Sequence, residues 1–283
     1  MDNGLSMKRK AYGIVLKTLL YTCAVITVIL LVSLIGYIFY RGIGNVTWKF
    51  LTTERSALKK TIGIFPNILF TLYTIFTSLI IALPVGIGAA VYLNEYATNR
   101  KLVKVLEFAT ETLTGIPSII FGLVGYLIFA QKLHMGSSIL AGSLTLVVMI
   151  LPTIVRTTQE ALKTVPYSYR EGAVGLGATK WYMIRTIILP CSIDGIVGGA
   201  ILAVGRIVGE SAALLFTAGM GYKLVTGYLD ALHTSGGTLS VMLYFYVSEC
   251  GEYDVGFAIA AILMILVLII NFSAKFAKRK LRK

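Results

Sequence analysis

Residues 18–40 read TLLYTCAVITVILLVSLIGYIFY, 23 consecutive residues without a charge. As a helix this stretch is about 34 Å long, enough to cross a hydrocarbon core about 30 Å thick. Basic residues precede it, as they precede a secretory leader, but a leader's apolar core is only about 7–15 residues long. The stretch therefore predicts an uncleaved first span. Working outward, uncharged runs of comparable length recur at 61–94, 112–130, 133–155, 211–229 and 255–274. The run at 61–94 is long enough to include a lead-in segment, which puts its helix at 67–93. The fifth run starts in fact near Ile196 and takes in Arg206 and Glu210, so its span is expected at 195–217. The expectation is an all-α membrane protein of six transmembrane helices.

Composition agrees. Of 283 residues, 57% are hydrophobic and 14% charged, against about 25% charged in soluble domains. A formal net charge of +13 raises nucleic-acid binding in a soluble protein, but here the basic residues follow topology. Eighteen of the 26 lie before the first span, in the segments 100–104 and 156–185, and in the tail from Lys275; seven lie in the alternate loops. By the positive-inside rule both termini are cytoplasmic. The loop holding Arg41, Lys49, Arg55, Lys59 and Lys60 runs against the rule, and the whole-chain sum decides. Cys23, Cys191 and Cys250 have neither metal-ligand nor redox spacing, so no disulfide framework, metal or cofactor is implied. His134 reads as an interface residue, and Glu249, Glu252 and Asp254 as an exposed acidic rim.

Gly195, Gly199 and Ala203 are spaced by four, as are Gly205 and Gly209. Such faces let helix backbones approach closely in a membrane. Pro84, Pro117 and Pro152 fall in or beside spans, where neighbouring helices can satisfy the freed backbone groups. These features predict a multi-helix bundle.

The inner loop 156–190 reads RTTQEALKTVPYSYREGAVGLGATKWYMIRTIILP. Pro166 suits a helix start, Gly175 and Gly177 a helix end, and Thr179 a cap for a second helix that Pro190 closes. Two short helices with a tight glycine turn are expected. Glu171, Gly172, Ala173, Gly177, Ile187, Leu189 and Pro190 match the signature loop of ABC importer permeases in spacing, with Gly172 in place of an alanine. The chain thus resembles that family, whose type I permease fold it is expected to share. The resemblance implies that this loop docks on an ATP-hydrolysing subunit and transmits its motion.

Three segments sharpen the likeness: ALPVG with YLNEY at 82–96, GIPS through FGL at 115–123, and GRIVGESA through LFTAG at 205–219. With Thr238–Val241 before Tyr244, they resemble the A-type permease subunits of bacterial high-affinity phosphate importers. Ser211 and Ala213 stand where that family has Thr and Pro, which leaves the sister C-type subunit open. So does a permease for another oxyanion such as molybdate or sulfate. Arg206 and Glu210, placed i and i+4 on one helical face, are the candidate substrate-pathway residues, the carboxylate holding the guanidinium until an anion displaces it; a merely structural ion pair is the alternative. The resemblance implies four kinds of partner: a sister permease, two ATPase subunits, an external phosphate-binding protein and membrane lipid. It also implies a location in the bacterial cytoplasmic membrane. No Gly-x-x-x-x-Gly-Lys-Ser/Thr phosphate loop occurs, so an ATPase site of its own is not expected. A lone ion-coupled transporter or channel leaves the docking loop unexplained, and no inverted repeat or filter-like motif was found for it. The expected organisation is an N-terminal part with the first helix (1–59), a permease domain (60–275) and a basic tail (276–283).

Overall fold

A computed structural model describes residues 7–55, 62–225 and 227–281. Expectations for Lys59, Lys60 and the last two residues lie outside these. Among the described residues, five helices are long and apolar enough to span a membrane, and a sixth span follows if one bent pair is counted as one.

The first helix, α1 (Met7–Gly42), is exposed along its apolar length. It is pinned at its end to the last helix. Tyr37 packs edge-on against Phe257 at 5.5 Å, Arg41 meets Asp254 at 3.4 Å, and Gly42 lies close against the Phe257 backbone, where a Cβ would collide. A short helix α2 (Trp48–Thr52) leads to α3 (Phe65–Val91), which ends in a π-helical turn, Tyr92–Tyr96.

The third span corrects the expectation of one helix over 112–130. α4 (Arg100–Thr114) and α5 (Ser118–Gly125, continued by a π-helical segment to Lys132) meet at a bend of 101°. Pro117 has no N–H to donate and disfavours the helical region for Ile116 before it, so the helix stops at Gly115. Nor does the fourth span follow the expected 133–155. His134 and Gly136 have φ of 55° and 62°, which delays α6 (Ile139–Lys163) until Ser138 caps it. It then runs on through Arg156 and Glu160.

After α6 come α7 (Tyr167–Gly175) and α8 (Lys180–Met183), the two short helices expected, with Gly177 at φ 79° between them. Pro190 does not close the second. A π-helical turn, Ile184–Ile188, joins α8 directly to α9 (Leu189–Gly209). Pro190 sits in the first turn of α9, where a missing N–H costs little. The last elements are α10 (Ala212–Thr217), α11 (Tyr228–Leu232), α12 (Leu239–Tyr244, with a π-helical turn to Glu249) and α13 (Tyr253–Leu281).

The core forms where α3, α6 and α9 pack. Phe70, Leu146, Ile150, Ile154 and Ile207 lie at 2% exposure or less. Gly86 fits against Ile154, Gly195 against Ala161 and Gly199 against Thr157, each at a distance that excludes a side chain. The Gly195–Gly199–Ala203 face is therefore a packing face. Gly205 and Gly209 meet nothing within 4 Å, and that second small-residue face is open.

Candidate functional site

The fifth expected span is not one helix. α9 stops at Gly209, and Glu210 is extended, with φ −80° and ψ 120°. Its backbone carbonyl accepts the Ser240 hydroxyl at 2.7 Å. Its carboxylate Oε1 accepts the Ala213 N–H at 2.9 Å, at the head of α10. Glu210 is buried and serves as a helix-start cap. The expected i, i+4 pairing with Arg206 does not form, because the two residues no longer share a helix. Arg206 is half-buried and makes no ion pair or hydrogen bond among the described residues. The antiparallel register of Gly195 on Ala161 and Gly199 on Thr157 carries Arg206 to the level of Ile150, near the middle of α6. A guanidinium at such depth costs at least about 2.5–3.5 kcal/mol on insertion scales, and it stands between the two open glycines.

The loop residues divide into two groups. Glu171, Gly172 and Gly177 are exposed, beside Leu176 at 91% and Val174 at 62%. Ala173, Ile187 and Leu189 turn inward instead. They join a buried cluster with Ala90, Val91, Leu93, Met183 and Ile188. Pro190 is exposed, in the first turn of α9. Spacing thus aligned residues that the fold sends to a surface knob and to its footing.

What holds the knob was not read from the sequence. Arg170 meets Glu95 of the π-helical turn after α3 at 2.8 Å, with only 15% and 6% of the two side chains exposed. The same guanidinium donates to the Val165 and Leu162 carbonyls at 3.0 and 3.1 Å, just where α6 ends. Seventy-five residues separate the partners, and no local pattern announces the pair. A further charged cleft of about 270 Å³ runs between α4 and α6. Lys163 faces Glu107 at 3.7 Å, and Arg156 faces Glu160 at 3.2 Å and Glu111 at 3.8 Å. These pairs are open to solvent, and each contributes at most about 1 kcal/mol.

Residues 82–283 match a family described as binding-protein-dependent transport system inner membrane component. The chain belongs to that family.

Several relatives of this transport component carry phosphate in their names. It is 32% identical to phosphate transport system permease protein PstA 1 of Mycobacterium tuberculosis over 95% of this chain and 90% of that one. It is 37% identical to phosphate transport system permease protein PstA of Yersinia pestis over 71% and 68%. A probable ABC transporter permease protein of Bacillus subtilis, YqgI, is 38% identical over 70% and 67%. Among solved structures, a chain of a bacterial alginate ABC transporter aligns at a TM-score of 0.66 with 17% identity, covering 98% of each chain. One from the inward-facing MetNI methionine ABC transporter aligns at 0.60 with 22% identity, covering 78% of this chain and 95% of that one. The fold is that of a type I ABC importer permease, a multi-pass membrane protein.

Proposed function

We propose that this transport component is the membrane permease subunit of an ATP-driven phosphate importer. It works with a sister permease, two ATP-hydrolysing subunits that carry the ATPase site, and an external phosphate-binding protein. The observation that carries the substrate class is the nearly full-length kinship with a phosphate transport permease. Arg206 supports it from the chain's own chemistry. A cation that makes no ion pair among the described residues, beside two open glycines, is available to an anion, and its planar donor fork matches phosphate oxygens. Glu210 contributes by ending α9 and starting α10, which shapes the pathway wall. The exposed tip at Glu171, Gly172 and Gly177 is the docking surface, and Ala173, Ile187, Leu189 and Pro190 support it. The 60–275 segment is the permease unit, with α1 an addition and the basic residues from 276 a cytoplasmic tail. Both termini face the cytoplasm of a bacterial cell.

Uptake of radiolabelled phosphate tests this in cells that express the chain with its partner subunits and lack other phosphate uptake. Phosphate should accumulate, and excess molybdate or sulfate should not compete. Arg206→Lys should lower uptake by about tenfold at equal membrane level, the worth of one charge-assisted hydrogen bond. Accumulation of molybdate or sulfate without phosphate would replace the substrate. Cysteines at Ser168 and Ser235, on a background without native cysteines, should label from opposite sides. Labelling of both from outside would refute the orientation.

A further inference from the structure

The two short helices of the 156–190 loop grip one segment of a distant span. From α7, Arg170 places Nη2 and Nε at 2.8 and 3.3 Å from Glu95 Oε1. From the start of α8, Lys180 sits 4.9 Å from the centre of the Tyr96 ring. Glu95 and Tyr96 both belong to the π-helical turn that ends α3, and Asn94 donates to Glu95 at 2.8 Å. The footing of the knob does not need these polar contacts to be buried, since Ala173 and Met183 already pack with Ala90, Val91 and Leu93. Apolar packing is non-directional, so alone it leaves α7 free to slide over the end of α3. A guanidinium fork on a carboxylate fixes direction as well as distance. α3 is in turn keyed to α6, through Gly86 on Ile154 and the Ser78 hydroxyl on the Ser143 carbonyl at 3.2 Å. A displacement of Glu95 therefore reaches the middle of the bundle.

We propose that Arg170 and Glu95 form the mechanical link between the docking loop and the bundle, a positioning pair that makes α3 follow α7 when the ATP-hydrolysing subunits move. The link rests on reading 156–190 as the docking loop; it does not depend on the solute. The force runs both ways. Contact by the external binding protein reaches the ATP-hydrolysing subunits through the same pair.

The test uses the whole transporter, purified with its partners and rebuilt into lipid vesicles, carrying Glu95→Ala or Glu95→Gln. Three quantities are read: ATP hydrolysis alone, its stimulation by phosphate-loaded binding protein, and phosphate taken up per ATP. Both variants should keep their ATP-hydrolysing subunits and their unstimulated hydrolysis. Stimulation and phosphate per ATP should fall about tenfold in Glu95→Ala, within the usual range of coupling between protein sites. Glu95→Gln, which keeps an acceptor for Arg170, should fall less. Unchanged stimulation in assembled Glu95→Ala transporter overturns the proposal. So does loss of assembly in Glu95→Ala with wild-type stimulation in Glu95→Gln, because the pair is then only a brace. As a second route, Glu95→Cys with Arg170→Cys, on a background without native cysteines, can be joined by a short bis-methanethiosulfonate, which forms a disulfide with each thiol and releases methanesulfinate. Joining should restore stimulation and reductant should remove it; equal stimulation in both forms overturns the proposal. Wild-type transporter that answers the binding protein with ATP hydrolysis but takes up no phosphate would instead remove the phosphate reading, with the stimulation comparison still deciding the link.

Discussion

Arg170 and Glu95 lie 75 residues apart and meet at 2.8 Å, whereas Arg206 and Glu210 lie four apart and form no pair. The difference comes from what the backbone does between the partners. At the loop, a π-helical turn brings Glu95 beside the end of α6, so one guanidinium donates to three acceptors, Glu95 and the Leu162 and Val165 carbonyls. In the fifth span, the helix that would have put Glu210 one turn above Arg206 stops at Gly209, and the carboxylate turns away to Ala213. The first region spends its charge on rigidity. The second leaves a cation open at depth, which suits a pathway and not a brace. Sequence distance is a poor guide to pairing wherever a helix ends.

The largest expected effect breaks the closed pair. In a double-mutant cycle of Arg170→Ala and Glu95→Ala, read from unfolding in detergent, the coupling should reach about 2–3 kcal/mol, at the upper end for contacting residues. A value near zero would remove the rigidity from the loop side of the comparison. Next comes Gly177→Val, which tests whether the knob depends on its own turn as well as on its clamp. Nothing lies within 4 Å of a Cβ there, so the penalty is the left-handed backbone alone, about 1–2 kcal/mol. Melting should shift accordingly, and fewer ATP-hydrolysing subunits should co-purify; an unshifted melt would show that the turn relaxes freely. Smaller still is the coupling between Arg206→Gln and Glu210→Gln, expected to stay below about 0.5 kcal/mol, as for independent sites. A coupling above about 0.5 kcal/mol, the floor for residues in contact, would mean that the two groups meet after all. Smallest is Glu171→Lys. This exposed carboxylate should leave stability within about 0.5 kcal/mol while weakening co-purification with the ATP-hydrolysing subunits, because it reverses charge at the docking tip. Unchanged co-purification would shift the docking surface toward Leu176 and its apolar neighbours.

Much of this molecule could be read directly from residue order. Charge-free stretches marked the spans because the transfer of an apolar segment into hydrocarbon depends on its composition and length, which are local quantities. The glycine turn and the Thr179 cap were equally local, since φ at Gly177 and the Tyr182 N–H at 3.4 Å from the Thr179 hydroxyl involve only near neighbours. The packing face at Gly195 and Gly199 followed from helical periodicity. Only the tertiary structure decided where the charged groups went. Hydropathy cannot see the bend at Pro117, because an apolar segment stays apolar on both sides of a break. Whether Glu210 continues a helix or starts another depends on Ser240, 30 residues further on. Whether Arg170 faces water or a carboxylate depends on how α3 ends. The last two outcomes are set by hydrogen bonds between distant segments, and buried polar groups take whichever partners the packed bundle brings within reach.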